Sequence, residues 1–266
     1  MSESPSPEPL ADVVTALRSA GCVFAEHEAR LLLAEGHTPD ELAEMVARRA
    51  SGVPLEHVLG WAGFCGRRIS VAAGVFVPRH RSALLVREAI ASAPPSPVVV
   101  DLCCGSGALG LAVFAGVENA TLHAADIEPA AVRCARRNLA AVGGHVYEGD
   151  LYDALPASLR GHIDVVTANT PYVPTADLAL LPPEARLHEP QVALDGGPDG
   201  LDLQRRVAAH ATGWLAPGGH LLVETSRRQA PLAAAIFTSE GLSSRVATSD
   251  ELDATVVIGT RPRAQP

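Results

Sequence analysis

Apolar residues change their spacing along the chain, and the changes divide it. Leu10, Val13, Val14 and Leu17 fall at i, i+3, i+4 and i+7, the stripe of an amphipathic helix. A second helix is expected over Ala25–Glu35, ending at Gly36, and a third from Thr38. There Pro39 suits the first turn, and Glu41, three after Thr38, completes a capping box. Residues 10–58 therefore read as a small helical bundle. Residues 59–97 read as a hairpin and linker: Gly60–Val77 is rich in Gly, Phe and β-branched residues, Ser82–Ala91 is helical, and "SAPPSP" is a break. From Val98 onward short apolar runs alternate with helical segments. Strands are expected at Val98–Val100, Thr121–Ala125, His145–Glu148, Ile163–Ala168 and His220–Glu224. Helices are expected at Ala108–Ala115, Pro129–Val142, Leu201–Trp214 and 228–239. Two last strands, near Ser243–Thr248 and Thr255–Thr260, close the chain. The fold class is α/β, a doubly wound sheet over residues 98–266 preceded by the helical domain.

Composition narrows the function classes. Residues 1–9, "MSESPSPEP", are expected to form a disordered tail. A net charge of −9 argues against a broad duplex nucleic-acid surface, which needs clustered Lys and Arg. Five cysteines without a C-x-x-C, and histidines without H-E-x-x-H, point to a reducing cytoplasm with neither a disulfide framework nor a metal site. No apolar run is long enough to span a membrane. The expected state is a cytoplasmic monomer.

The candidate chemistry sits where strands end. The first strand of the sheet runs through Asp101 into "DLCCGSGALG", where Gly105 and Gly107 flank Ser106 before a helix. Such glycines let backbone approach a ligand, although small residues here also serve tight packing. The third glycine of G-x-G-x-x-G and a P-loop lysine are missing, so phosphates are not the obvious target. Asp126 ends the second strand, placed to accept the hydroxyls of a ribose or to cap the following helix. Asp150 and Leu151 follow the third strand, placed to flank an adenine or simply to make a loop. "ANTPYVP" follows the fourth. There Asn169 offers an amide oxygen, Thr170 a carbonyl, Pro171 stiffness and Tyr172 a flat face. Two such acceptors can hold an –NH₂ group against a methyl donor, and transfer then depends on positioning at about 3 Å rather than on a strong base.

Together these strand-end groups resemble those of S-adenosylmethionine-dependent methyltransferases, with "NTPY" similar to the N-P-P-Y motif of amino-methyltransferases. "HEPQVALDGGPDGLDLQRRV", His188–Val207, is similar to the E-P-x-x-A-L-x-G-G-x-D-G-L segment of the HemK/PrmC-type protein-(glutamine N(5)) methyltransferases. The Gly52–Val86 linker and the helical bundle resemble that family too. The resemblance spans about residues 10–260. It implies a seven-stranded sheet ending in an antiparallel hairpin and S-adenosyl-L-methionine as cofactor. It implies that Asp101, Cys103, Cys104, Gly105, Ser106 and Gly107 serve the donor, with Asp126 on the ribose, Asp150 and Leu151 at the adenine, and Asn169 near it. Asn169, Thr170, Pro171 and Tyr172 would hold the target amide, Phe76–Arg79 would close over the donor, and the helical bundle would engage a protein substrate, a peptide-chain release factor first among candidates.

The chain departs from that pattern at four places. Thr170 replaces the first proline of N-P-P-Y. His80 and Arg81 stand in "VPRHRSA" where release-factor enzymes usually read I-P-R-P-E-T-E. Thr255 stands where the family commonly has Arg, and Cys103-Cys104 replaces Gly-Thr. These changes fit a paralogous branch. A nucleic-acid or small-molecule amino-methyltransferase and a non-catalytic paralogue stay open on sequence.

Overall fold

The computed structural model describes residues 7–263. Helix α1 (Pro7–Ser19) opens within the stretch expected as a tail; residues 1–6 lie outside the described residues. Helices α2 (Ala25–Ala34), α3 (Pro39–Ala50) and the short α4 (Leu55–Leu59) follow. At α3 the Thr38 hydroxyl accepts from the Glu41 N–H, and the Glu41 carboxylate accepts from the Thr38 N–H at 2.8 Å, so both halves of the capping box form. These helices enclose their own core around Leu17, Ala29, Leu32, Met45 and Val58. Inside it lies a buried ion pair: Arg49 donates to Glu28 through Nε at 2.6 Å and Nη2 at 3.2 Å.

Strands β1 (Trp61–Phe64) and β2 (Arg67–Ser70) form the expected hairpin. Both of its turn residues, Cys65 and Gly66, have positive φ, as a two-residue turn matched to strand twist requires. Asn138 ties β2 to the main domain. Its Oδ1 accepts from the Ser70 N–H, and its Nδ2 donates to the carbonyls of Ser70 and Ser106.

The main sheet contains β3 (Val98–Leu102), β4 (Thr121–Asp126), β5 (His145–Glu148), β6 (Ile163–Ala168), β7 (Leu215–Thr225), β8 (Ser243–Ser249) and β9 (Ala254–Thr260). Their order is β5-β4-β3-β6-β7-β9-β8, with β9 antiparallel to β7 and β8. This is the seven-stranded sheet with a terminal antiparallel hairpin. Alternate residues feed the two faces: Val99, Leu122, Ala124, Val165 and Leu222 pack with α5 (Ala83–Ser92), α6 (Ala108–Gly116) and α7 (Pro129–Leu139). Val100, Leu102, Ala125, Val166, Leu221 and Val223 pack with α9 (Asp202–Trp214) and α10 (Ala230–Ser239). A sheet covered on both faces explains why its central strands read as unbroken apolar runs.

Three elements differ from the sequence reading, the first being α4, a fourth helix where three were expected. β7 begins at Leu215, so Pro217-Gly218-Gly219, a turn by composition, lies inside a strand. A register irregularity absorbs it between Ile163 and Val165 of β6, and a Cβ on Gly219 would stand 2.7 Å from the Ile163 carbonyl oxygen. Helix α8 (Pro183–His188) has no counterpart among the expected elements; Pro183 occupies its first turn.

Candidate active site

The order of the parallel strands reverses between β3 and β6, and a crevice at the carboxyl edge follows from that switch. Register aligns the strand ends: Leu102 pairs with Ala125 on one side and Ala168 on the other, and Ala168 with Val223. One residue further on, Asp126, Cys103, Asn169 and Glu224 stand side by side. They border a cavity of about 470 Å³, a size that suits a cofactor with part of a substrate. Cys103, Cys104, Gly105, Ser106, Asp126, Asp150, Leu151, Asn169, Thr170, Pro171 and Tyr172 all line it. Phe76, Pro78 and Arg79 line it from the linker side.

Asp101 and Gly107, expected at the donor, do not line the cavity. Asp101 is wholly buried; its carboxylate accepts from the Gly110 N–H and the Thr167 hydroxyl, both at 2.9 Å, which fastens α6 and β6 to β3. Burial, partly offset by those two donors, pushes its carboxyl up to about 7. Gly107 is the left-handed residue before α6. Its N–H reaches the Cys104 carbonyl at 2.7 Å, and a Cβ there would press on Ala135 and Leu139 at 3.3 Å. Both residues shape the loop from beneath.

The donor end is held by backbone. Asp126 accepts from the Gly105 N–H at 2.8 Å and from the Glu128 N–H at 2.9 Å, one bond on each oxygen. Each oxygen keeps a lone pair, and burial raises the carboxyl's pKa. Gly105 adopts φ +54°, and no atom lies within 4 Å of where its Cβ would stand, so the backbone there borders open space. Burial likewise raises the Cys103 and Cys104 thiols, which stay protonated. Asp150 meets Arg206 at 2.6 Å, and Arg206 also lines the cavity. Open backbone, a carboxylate with a lone pair left on each oxygen and the apolar Leu151 have the chemistry to fit an adenosyl group.

The acceptor end is held by side chains from distant segments. Asn169 Nδ2 lies 3.5 Å from Ser82 Oγ, which turns the amide oxygen away from Ser82. The Thr170 carbonyl accepts no hydrogen bond among the described residues. Tyr172 donates to Glu224 Oε1 at 3.2 Å, and Arg81 Nε donates to the same oxygen at 3.1 Å while its guanidinium lies 5.8 Å from the Tyr172 ring centroid. Burial and then the Glu224 charge raise the Tyr172 pKa, so it stays a phenol. Arg79 pairs with buried Glu189 at 2.6 Å, and the same Glu189 oxygen accepts from the Val77 N–H. Gln229 donates to the Tyr172 and Asp199 carbonyls, both at 2.9 Å, and so supports the motif from behind.

Ser82, Asn138, Glu189, Arg206, Glu224 and Gln229 were not singled out by sequence. Ser82 sits in "VPRHRSA", and Glu189 and Arg206 sit in His188–Val207, segments whose pattern stands out; Asn138, Glu224 and Gln229 lie in none. Among the described residues, no three His, Cys, Asp or Glu side chains group as metal ligands. None of the described helices is long and apolar enough to cross a membrane.

A sequence model of the methyltransferase small domain matches residues 68–181. The release factor glutamine methyltransferase of Geobacter sulfurreducens is 37% identical over 228 residues, covering 84% of this chain and 79% of that one. That of Streptomyces coelicolor is 39% identical over 201 residues, covering 74% and 71%. The chain belongs to the release factor glutamine methyltransferase family. Family members are S-adenosylmethionine-dependent, and this chain is an S-adenosylmethionine-dependent methyltransferase. The 4-amino-L-phenylalanine/4-methylamino-L-phenylalanine methyltransferase of Streptomyces pristinaespiralis is also similar, 35% identical over 232 residues, with 85% and 78% covered. Among solved structures, a methyltransferase from Pyrococcus furiosus superposes with TM-score 0.56 at 16% identity, covering 74% of this chain and 90% of that one. The Thermus thermophilus 16S rRNA N2 G1207 methyltransferase does so with TM-score 0.52 at 17% identity, covering 76% and 49%. These two likenesses concern the fold.

Proposed function

We propose that the chain transfers a methyl group to the side-chain amide nitrogen of a glutamine in a protein, with a release factor the first candidate. The observation that carries this reading is the acceptor end. Asn169 presents its amide oxygen and Thr170 a free carbonyl, two acceptors for the two N–H bonds of a planar –NH₂ group. S-adenosylmethionine supplies an electrophilic methyl. The residues hold the acceptor nitrogen in line with it, which is where a positioning mechanism gains its rate. The methylated nitrogen then sheds its proton to solvent, so no strong base is required. The nearby carboxylates fit this, since Glu224 and Glu189 are each engaged by an arginine.

In this reading Asp126, Asp150, Leu151 and Cys103–Ser106 hold the donor, and Asn169–Tyr172 hold the amide. The helical bundle recognises the protein partner away from the chemistry, and the enzyme works as a cytoplasmic monomer. The relatives from Geobacter and Streptomyces support the substrate class; His80, Arg81, Thr170 and Thr255 support a paralogous branch. The Streptomyces pristinaespiralis relative favours a second reading, an aromatic amine as acceptor. The test is incubation of the purified enzyme with labelled donor and its organism's release factors, then with total lysate, followed by mass mapping. Label on the glutamine of a Gly-Gly-Gln tip is expected. Label on another protein glutamine keeps the reaction and discards the release factor. Label only in nucleic acid or a small molecule overturns the proposal.

A further inference from the structure

Five buried side-chain polar atoms have no hydrogen-bond partner among the described residues; two, on Tyr152 and Gln204, lie away from the cavity, and three lie at it. Thr170 Oγ1, Glu189 Oε2 and Glu224 Oε2 all belong to residues that line the cavity. Glu224 matters most, because of its place. It follows Val223 as Asn169 follows Ala168, and those two strand residues are register partners on β7 and β6. The two side chains therefore leave adjacent strand ends towards the same region. The carboxylate is anchored through one oxygen only: Oε1 takes both the Tyr172 hydroxyl and Arg81 Nε, while Oε2 takes nothing. The residue is 1% exposed. A buried acceptor without a donor is costly, so a folded chain that keeps one at its active site calls for a use.

We infer that Glu224 is a specificity-determining residue for the acceptor, and that its Oε2 receives an N–H of the substrate beside the amide held by Asn169. The inference rests on the glutamine reading above and names what that reading leaves open, the group next to the reacting amide. Arg81 sets the charge of that group. Its guanidinium already neutralises Glu224, so a neutral N–H completes the arrangement, whereas an ammonium adds a second cation beside Arg81. A main-chain N–H flanking the target glutamine has the right chemistry, and the free α-ammonium of an amino acid does not. Arg81 is half-exposed at the cavity wall, so it can shift as the acceptor enters without leaving the carboxylate.

The experiment uses the full chain saturated with S-adenosylhomocysteine and two probes followed by NMR titration. One probe is N-acetyl-glutamine N-methylamide, which is neutral; the other is glutamine N-methylamide, which carries an α-ammonium. The wild type is expected to bind the neutral probe at least tenfold more tightly. Glu224→Gln, which keeps the shape but replaces one carboxylate oxygen by a donor, should weaken the neutral probe at least tenfold and leave S-adenosylhomocysteine affinity within twofold. Arg81→Ala should narrow the preference between the probes. Should Glu224→Gln fail to fold, Arg81→Ala and the wild-type ratio still decide the matter. Equal binding of the neutral probe by wild type and Glu224→Gln, or equal binding of both probes by wild type, overturns the inference and leaves the glutamine reading intact. A wild type that binds S-adenosylhomocysteine but neither probe overturns both.

Discussion

The two ends of the cavity are built by opposite means. At the donor end the ribose carboxylate is held at short range: Asp126 reaches Gly105, 21 residues away, and Glu128, 2 residues away, through backbone N–H donors, and only the Asp150–Arg206 pair joins side chains across a longer span, 56 residues. At the acceptor end the bonds join segments far apart. Arg79 reaches Glu189 across 110 residues, Arg81 reaches Glu224 across 143, and Tyr172 reaches Glu224 across 52, all side chain to side chain. Asp126 has a partner on both oxygens, whereas Glu189, Glu224 and Thr170 each keep an unpartnered atom. A backbone cradle tolerates wide sequence change because any residue except proline supplies an N–H. A side-chain clamp changes its chemistry with one substitution. The donor end therefore fixes the cofactor, and the acceptor end is where relatives with different substrates can diverge.

The sharpest way to break this comparison is at Asn169. Asn169→Ala is expected to lower turnover by about 100- to 1000-fold, since misplacing a reacting group by an ångström is that costly. S-adenosylhomocysteine affinity should change by no more than a few fold. Parallel losses in turnover and donor affinity would show that the two ends are not separable. The converse substitution is Asp126→Ala. It removes hydrogen bonds to a charged group worth about 1.5–3 kcal/mol, roughly 10- to 100-fold in donor affinity. Calorimetric titration with S-adenosylhomocysteine measures it, and an unchanged affinity in a folded variant would remove Asp126 from the donor site.

The same contrast explains what the sequence made legible. Strands, their order of use and the Gly105 loop rest on local spacing, and these appear in the structure close to where spacing placed them. Asp126, Asp150 and Asn169 could be singled out because each ends an apolar run. Glu224 also ends one, yet "VETSRRQ" contains no glycine or proline punctuation to mark it. Ser82 reaches the motif through Asn169, 87 residues away, and Gln229 through Tyr172, 57 residues away, so local spacing does not announce their part in the site. The family resemblance places Asp101 and Gly107 at the donor, yet neither lines the cavity. A strand-end acid whose neighbours supply two donors folds inward instead, and a glycine required for φ +77° needs no ligand to explain it.

Asp101 lies beneath both ends, bonded to α6 on one side and to β6 on the other, and it offers a way to sharpen the comparison. Its carboxyl titrates near 7 in the folded chain, against about 4 when unfolded. Between those values the folded state holds the extra proton, so the stability this group contributes falls as pH rises from about 4 to about 7 and is level above. The slope is at most about 1.4 kcal/mol per pH unit. Asp101→Asn lacks that slope, so the stability difference between wild type and variant, read from their denaturant midpoints, should fall as pH rises from about 4 to about 7. If the difference stays constant over that interval, Asp101 does not titrate there.

The smallest effect is expected at Thr170. The residue is 1% exposed and its hydroxyl has no partner among the described residues, so the folded state bears an unsatisfied polar atom. Thr170→Val keeps the shape and removes that atom. Replacement of an unpaired buried hydroxyl by a methyl is expected to leave stability equal or to raise it by about 1 kcal/mol. The acceptor reading uses only the carbonyl of residue 170, which valine and proline both retain, so turnover of Thr170→Val and Thr170→Pro should stay within about threefold of wild type. Denaturant midpoints and steady-state rates on the same preparations measure both. A tenfold loss of turnover in Thr170→Val with an unchanged midpoint would assign the hydroxyl to the acceptor. In that event Thr170 would join Glu224 in reading the substrate, and the departure from N-P-P-Y would itself be part of what this chain selects.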